Sequence, residues 1–444
     1  MRTPYTCPLT RSLPYVLAAI AIACSSTDAP RPDAPAESAG KIPENAAGGS
    51  SVAGGSPIDD NTSDDDALDT TEVGRSDPNV DDVANNGASA GPDSDRDGLP
   101  DSVETNTKRF VDKNNTGTDP NNWDTDDDGI SDGDEVLVTA GGLDLAKMGT
   151  NPLHQDILLE YDWFEDSSEC ATHSHKPKAA VLNMVKAAFA ASPAQNPDKK
   201  TGINVIQDYG QGGAFTGGSR LISDDVVLDK GVDGAEYKGH FDNDFAKNRQ
   251  GYFHYVLMSH RYTYQRSDGT WETASTGQAH RPSNDMIVSL ACWHADDFKI
   301  AATIVHELGH NLGLQHGGRD DVNWKPNYNS IMNYKYQLDG IATDCTPQPN
   351  KKIDYSRNKG IVLDEHALDE TAGICGTPRW DWNGDKKFDT NISLDINDDG
   401  SLGILRDYDD WGTIRLPWKQ HSPLEKRDEA VPQTVSCESF LPGT

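Results

Sequence analysis

The stretch DDFKIAATIVHELGHNLGLQHGG, residues 296–318, sets three histidines and one glutamate at fixed intervals in an apolar segment. Its apolar side chains recur at helical spacing as far as Leu314, and Asp296 or Asp297 is suited to cap the start of a helix. A long helix is therefore predicted. His306 and His310 lie one turn apart on it, so both imidazoles point to the same side.

The rest of this stretch completes a constellation typical of a metal site. Glu307 can reach a metal-bound water without coordinating the metal, which makes it a candidate general base. Gly313 can end the helix in a left-handed conformation, and the chain then returns His316 as a third ligand. Three neutral imidazoles leave an open position, as catalytic zinc requires. The alternative is that the three histidines only pack in the core. It is disfavoured because no packing argument requires imidazole at all three positions.

With these residues in place, the segment resembles the metzincin zinc peptidases, whose pattern HExxHxxGxxH it matches at every defined position. Metzincins also turn beneath the zinc on a methionine-bearing loop, and YNSIMNYKY, residues 328–336, supplies Met332. Tyr334 stands two positions later, as in astacins and serralysins. The resemblance implies a zinc endopeptidase with one catalytic zinc on His306, His310 and His316, with Glu307 and Tyr334 as catalytic residues and Met332 in the Met-turn.

The surrounding sequence predicts an α/β fold. Strands are expected at residues 156–163, 202–210, 251–264 and 284–293, with a helix at 177–191. Alternation of strands and helices indicates a sheet covered by helices. The resemblance implies a metzincin-like domain with a twisted mixed sheet and an active-site helix. We expect a peptide substrate to pair with an edge strand, for which 284–293 is the candidate. Residues 338–410 form an insertion that fits no subfamily.

Two acidic loops precede this domain. DSDRDGLPDSVE (residues 93–104) and DTDDDGISDGDE (residues 124–135) share Asp at positions one, three, five and nine, Gly at six and Glu at twelve. Carboxylates at that spacing converge on calcium. The loops resemble thrombospondin type 3 repeats, and the alternative is a solvated acidic run. The expected structural calcium ligands, for two or more ions, are Asp93, Asp95, Asp97, Asp101, Glu104, Asp124, Asp126, Asp128, Asp132 and Glu135.

The composition favours calcium as a counter-ion. The 72 acidic against 39 basic residues give a formal net charge of −33. Such a charge disfavours nucleic acid or an anionic membrane surface as a partner. Hydrophobic residues make up only 35% of the chain, which indicates that part of it does not build a core.

The N-terminus predicts export. Arg2 and Arg11 precede the apolar run LPYVLAAIAIAC, which is too short to span a bilayer as a stable helix. The small residues before Cys24 resemble a bacterial lipobox, which implies lipidation of Cys24. Ordinary signal cleavage remains the alternative. Residues 24–92, rich in Ser, Ala, Gly, Pro and Asp, predict a disordered tether.

The cysteines are compatible with an exported chain. After Cys7 leaves with the signal peptide and Cys24 takes lipid, five remain, which cannot all pair. Cys345 and Cys375 bracket a turn-rich part of the insertion and are the expected disulfide.

Together these features predict a signal peptide (1–23), the tether (24–92), the calcium loops (93–150), the peptidase domain (151–425) and a C-terminal tail (426–444). The expected protein is a secreted or surface-anchored endopeptidase, a monomer that acts on proteins or peptides. Its expected location is the bacterial outer membrane or the extracellular space, and only a lipid anchor enters the membrane. The alternative is a surface adhesion or binding lipoprotein that retains the zinc site. The presence of Glu307 favours the enzyme.

Overall fold

The structure is a computed structural model that describes residues 91–166, 172–222, 227–265, 269–274, 276–291, 296–320, 322–416 and 433–437. All these residues belong to one compact unit, residues 82–444. The expected signal peptide, the tether as far as residue 90, and Cys24 lie outside the described residues.

Short helices and strands alternate along the described chain. The helices are α1 (Asp132–Val136), α2 (Leu145–Met148), α3 (Ala179–Ala190), α4 (Ala235–Asn243), α5 (Asp297–Asn311) and α6 (Tyr334–Gln337). The strands are β1 (Asp156–Trp163), β2 (Glu165–Asp166), β3 (His173–Ser174), β4 (Asn204–Asp208), β5 (Val227–Leu228), β6 (Phe253–Ser259), β7 (Arg261–Gln265), β8 (Trp271–Ala274), β9 (Thr276–Arg281), β10 (Asp285–Ser289), β11 (Leu363–Asp364), β12 (Leu368–Asp369), β13 (Thr390–Ile392), β14 (Ile404–Leu405) and β15 (Gln433–Cys437). Gly231–Asp233 forms a 3₁₀ turn.

A twisted, mixed six-stranded sheet organises the molecule, in the order β15-β9-β10-β6-β1-β4. Strands β10, β6, β1 and β4 are parallel to one another, with Leu158 opposite Phe253 and Met286 opposite Val256. Strand β9 runs antiparallel to β10, and β15 runs antiparallel to β9. The four parallel strands therefore end at a common carboxyl edge.

Both faces of this sheet are buried, because all eight residues of β1 are buried. Leu159 and Tyr161 pack on one face with α3 and α5, whereas Leu158 packs on the other face with aromatic residues of α4. Burying a leucine side chain contributes about 1.5–3 kcal/mol, so continuous apolar strands favour a sheet covered on both sides. The α/β class expected from the sequence is confirmed.

The expected strand over 156–163 has the observed bounds, and the helix expected at 177–191 is α3. The prediction for 251–264 needs correction, since this segment divides into β6 and β7, which belong to different sheets. The prediction that residues 284–293 form the edge strand on which a peptide substrate pairs is also wrong. Strand β10 lies inside the sheet between β6 and β9, so it has no edge on which a peptide could add.

The insertion folds around its own small core. Two-stranded pairs β11–β14 and β12–β13 surround Leu363, Leu368 and Ile374. Cys345 and Cys375 form a disulfide there, with Cα atoms 5.6 Å apart. Among the described positions, no helix has both the length and the apolar character needed to cross a membrane.

Candidate functional site

Helix α5 is capped at its start by Asp296, one of the two aspartates expected there. The Asp296 carboxylate accepts a hydrogen bond from the Lys299 backbone N–H at 3.1 Å. Every residue from Ile300 to Asn311 is buried. The helix therefore runs through the core and places its polar side chains in a dry environment, where each of them needs a partner.

The end of α5 turns the chain back on itself. Gly313 has φ +97°, a left-handed conformation that glycine adopts without a steric penalty. Its N–H donates to the His310 carbonyl at 2.8 Å, and the Leu314 N–H donates to the Gly309 carbonyl at 2.8 Å. This pair of bonds is a Schellman motif. The reversal brings His316 back to the histidines of the helix.

The three histidines of the HExxHxxGxxH segment converge. Their ring centroids lie 4.8 Å apart for His306 and His310, 5.2 Å for His306 and His316, and 4.7 Å for His310 and His316. One nitrogen atom from each ring lies within 4.8 Å of the other two. The Nε2 atoms of His310 and His316 are 3.0 Å apart.

Backbone carbonyls fix the orientation of two of these rings. His306 Nδ1 lies 2.8 Å from the Ile331 carbonyl oxygen, and His310 Nδ1 lies 2.9 Å from the Leu314 carbonyl oxygen. A carbonyl can only accept, so each Nδ1 donates a proton. In a neutral imidazole the Nε2 atom is then the one able to ligate a metal.

Burial keeps the three imidazoles neutral. It lowers the pKa of His306 to about 4, although the bond to the Ile331 carbonyl opposes that shift. Burial also lowers the pKa of His310 and His316. The neighbouring histidines and Arg281 lower it further, because a second positive charge there would be repelled. Neutral imidazole is the form that binds metal, so the site is ready for a cation at neutral pH.

Glu307 faces strand β9 from the same helix. Its side chain is fully buried, and a Cβ atom at Gly277 would collide with its carboxylate. Glycine at position 277 is what allows the strand backbone to approach the glutamate so closely. The glutamate therefore lies between the histidines of α5 and the strand adjoining β10.

The methionine-bearing loop lies beneath the helix. Met332 is fully buried and its sulfur contacts Gly309 of α5. The Tyr334 ring centroid lies 4.3 Å from that of His316 and 6.2 Å from that of His306. Tyr334 is thus part of the wall around the three imidazoles.

Residues remote in sequence hold this loop and helix, and the sequence did not single them out. Asp410 accepts from the Ser330 hydroxyl at 2.6 Å and from the Tyr328 hydroxyl at 2.9 Å, and burial raises its pKa to about 7. The Asn311 side chain donates to the His280 and Asp285 carbonyls at 2.8 and 3.0 Å. An aspartate and an asparagine without a motif gave no signal that could identify them.

The two acidic loops adopt one conformation. In the first, Asp93 accepts from the Arg96 and Gly98 N–H groups, at 2.7 and 3.2 Å. In the second, Asp124 accepts from the Asp127 and Gly129 N–H groups, each at 2.8 Å. The position-nine residues match too: Asp101 accepts from the Ser94 N–H, and Asp132 accepts from the Thr125 N–H.

Carboxylates gather in these loops, and several of their buried oxygens have no donor among the described residues. Groups whose oxygens lie within 4.8 Å of one another are Asp93, Asp95 and Asp97; Asp97, Glu104 and Asp132; and Asp124, Asp126 and Asp128. Both oxygens of Asp95, Asp126 and Glu135 are buried and have no hydrogen-bond partner among the described residues. Burial, with repulsion from Asp97 and Asp95, raises the pKa of Glu104 to about 8. This donor set fits a hard divalent cation such as calcium.

The structure adds a member to the second loop and joins the two loops. Asp132 lies with Asp97 and Glu104 of the first loop. Asp156, the first residue of β1, donates its N–H to the Asp128 carboxylate at 2.7 Å, and burial raises the pKa of the Asp156 carboxyl to about 7. Loop spacing alone could not place Asp156 there.

Comparison with known proteins adds little. No protein-family model and no curated protein matches the sequence. A crystal structure of archaemetzincin from Methanopyrus kandleri matches with 12% sequence identity over 41% of this chain and 81% of that chain, at a TM-score of 0.19. The functional assignment therefore rests on the geometry of the residues.

Proposed function

We propose that the chain is a zinc-dependent endopeptidase of the metzincin type. The observation that supports this most directly is the convergence of His306, His310 and His316 as neutral imidazoles, with Glu307 on the same helix and facing a strand. Nitrogen donors of this number suit zinc and leave one position for a reactant. The donor set therefore fits a catalytic zinc ion rather than a closed structural one.

Each residue then has a defined role. Zinc, when bound, supplies a Lewis acid that polarises a carbonyl and acidifies water. Glu307 accepts the proton of the attacking water on a carboxylate oxygen and returns it to the leaving amine. Tyr334, beside His316, donates a hydrogen bond to the oxyanion as it forms. Met332 and Asp410 hold the helix and the methionine-bearing loop on which Glu307 and Tyr334 lie.

An extended substrate has a natural place on strand β9, since Gly277 of this strand lies against Glu307. Main-chain pairing along a strand edge holds a peptide extended. The outer edge of β9 pairs with β15 in this structure, with Cys437 opposite Gly277. We therefore propose that a peptide pairs with β9 in the place that β15 occupies.

Glu307→Gln in the full chain tests the enzyme against the binding-protein alternative. The variant should keep one zinc at the HExxHxxGxxH histidines and lose about 100- to 10,000-fold in the rate of casein cleavage, the usual contribution of a general base. Glu365→Gln is the matched control, because Glu365 is equally buried but lies in the insertion. Cleavage by Glu307→Gln at the wild-type rate would refute the general base. A zinc-loaded wild type without peptidase activity would favour the adhesion protein.

We also propose that the acidic loops bind calcium and fasten to the peptidase sheet. The buried, unsatisfied carboxylates of Asp126 and Glu135 support this, as does the contact of Asp128 with Asp156 of β1. A cation there offsets charges that otherwise repel in a dry site. Calcium should slow proteolysis of residues 93–135, and equal cleavage with chelator and with calcium would contradict the proposal.

A further inference from the structure

A second group of histidines lies outside the HExxHxxGxxH segment. His173 belongs to β3, His175 follows it, and His260 follows β6. Their ring centroids are 4.6 Å apart for His173 and His175, and 5.5 Å apart from each of these to His260. We call these three residues the second histidine cluster. The proposed peptidase chemistry uses none of them.

The structure assigns to this cluster a second site for a first-row divalent metal ion, with zinc as the expected occupant. One nitrogen atom from each ring lies within 4.8 Å of the other two. A tetrahedral zinc ion with bonds of about 2.0–2.1 Å needs nitrogens about 3.3 Å apart, which small rotations of the rings can supply. Imidazole donors select such ions over calcium or magnesium.

Burial distinguishes the cluster from surface histidines. His175 is 8% exposed and His260 is 2% exposed. Nε2 of His173, Nε2 of His175 and Nδ1 of His260 are shielded from solvent. Each of these packed imidazoles can supply one nitrogen ligand, so a bound cation would join all three.

The backbone holds these histidines at the carboxyl edge of the parallel strands. The His175 N–H donates to the Phe164 carbonyl at 3.0 Å, which follows β1. The His260 carbonyl accepts from Ala291, which follows β10, at 3.0 Å. Ligand sites in open α/β sheets concentrate at this edge, because the strand ends leave a crevice there.

A small pocket lies beside His175 of the cluster. Lys176, Met258, Val288 and Ile300 also line it. Ile300 belongs to the first turns of α5, so an ion at His175 would lie beside the helix that also holds the HExxHxxGxxH histidines. The site would fasten the β2–β3 hairpin to the end of β6.

The test counts metal atoms in the full chain, purified with calcium to saturate the acidic loops and then equilibrated with zinc. The wild type should hold two zinc atoms per chain. His306→Ala/His310→Ala should hold one, His260→Ala should hold one, and the combination should hold none. His366→Ala is the control, because His366 is an exposed histidine of the insertion and should leave the count at two.

A measurement on the unmodified chain covers the case in which His260→Ala fails to fold. Deuterium labelling of the backbone of residues 172–176 by hydrogen exchange, read by mass spectrometry, should slow at least several-fold when zinc is added to the metal-free protein. Zinc should give the same protection in His306→Ala/His310→Ala. A wild-type count of one that the double variant abolishes, or labelling unaffected by zinc, would overturn the second site and leave the proposed peptidase intact. A wild-type count of one that only His260→Ala abolishes would support the second site and overturn the catalytic zinc.

Discussion

Replacing Asp132 by asparagine should remove one carboxyl group's share of the pH dependence of stability that the acidic loops have without calcium. Asp132 is fully buried, and burial raises its pKa from 3.8 to about 8. Between pH 5 and 7 the folded chain therefore keeps this proton, whereas the unfolded chain has lost it. Because the folded state binds more protons, stability falls as pH rises.

The size of the effect follows from this one group. A carboxyl that is protonated when folded and ionised when unfolded costs about 1.4 kcal/mol per pH unit, so Asp132 accounts for about 2.7 kcal/mol between pH 5 and 7. This corresponds to a change of about 100-fold in the opening equilibrium of the loop. Asparagine has a similar shape and can accept from Thr125, but it does not titrate in this range.

Hydrogen exchange with mass spectrometry, on peptides covering residues 124–136 in chelator and corrected for intrinsic rates, measures this opening. Asp101→Asn is the matched control, because Asp101 has the same loop position and partner type but is only partly buried. Saturating calcium should abolish the wild-type decline, since the ion and not a proton then neutralises the carboxylates. An equal pH slope in wild type and Asp132→Asn, or a wild-type stability that rises from pH 5 to 7 in chelator, would refute the reasoning.

Tyr334→Phe should keep its zinc and melting temperature but lose about 100- to 1,000-fold in kcat with KM little changed, as for an oxyanion donor. Tyr336→Phe, in the same helix, is the control: it loses the bond to the Pro326 carbonyl and should lower the melting temperature instead. A near-normal kcat in Tyr334→Phe would show that Tyr334 does not serve catalysis. Cys345→Ser/Cys375→Ser breaks the disulfide and opens a loop with a sequence separation of 30, so the free energy of unfolding measured in urea should fall by about 3–4 kcal/mol. A fall below about 1 kcal/mol would show that the stability of the insertion does not depend on the disulfide. Cys24→Ala should lose the label of a clickable fatty acid that the wild type incorporates and leave the membrane fraction, whereas equal labelling would exclude the lipid anchor.

The sequence by itself determined the features that depend on neighbours within a few turns. The spacing of His306, Glu307 and His310 places all three on one helix, and Gly313 ends that helix. The acidic loops likewise follow from a twelve-residue register that repeats. In each case the interacting groups are separated by only a few residues, so backbone geometry alone brings them together.

The tertiary structure decided which distant segments meet. It placed β10 inside the sheet between β6 and β9, because sheet order depends on pairing with strands far along the chain, including β15. It brought Asp410 beneath the methionine loop, Asp156 to the second acidic loop, and His260 to His173 and His175. No local periodicity encodes such contacts, since they form only when long loops close and buried polar groups find the partners that burial makes necessary.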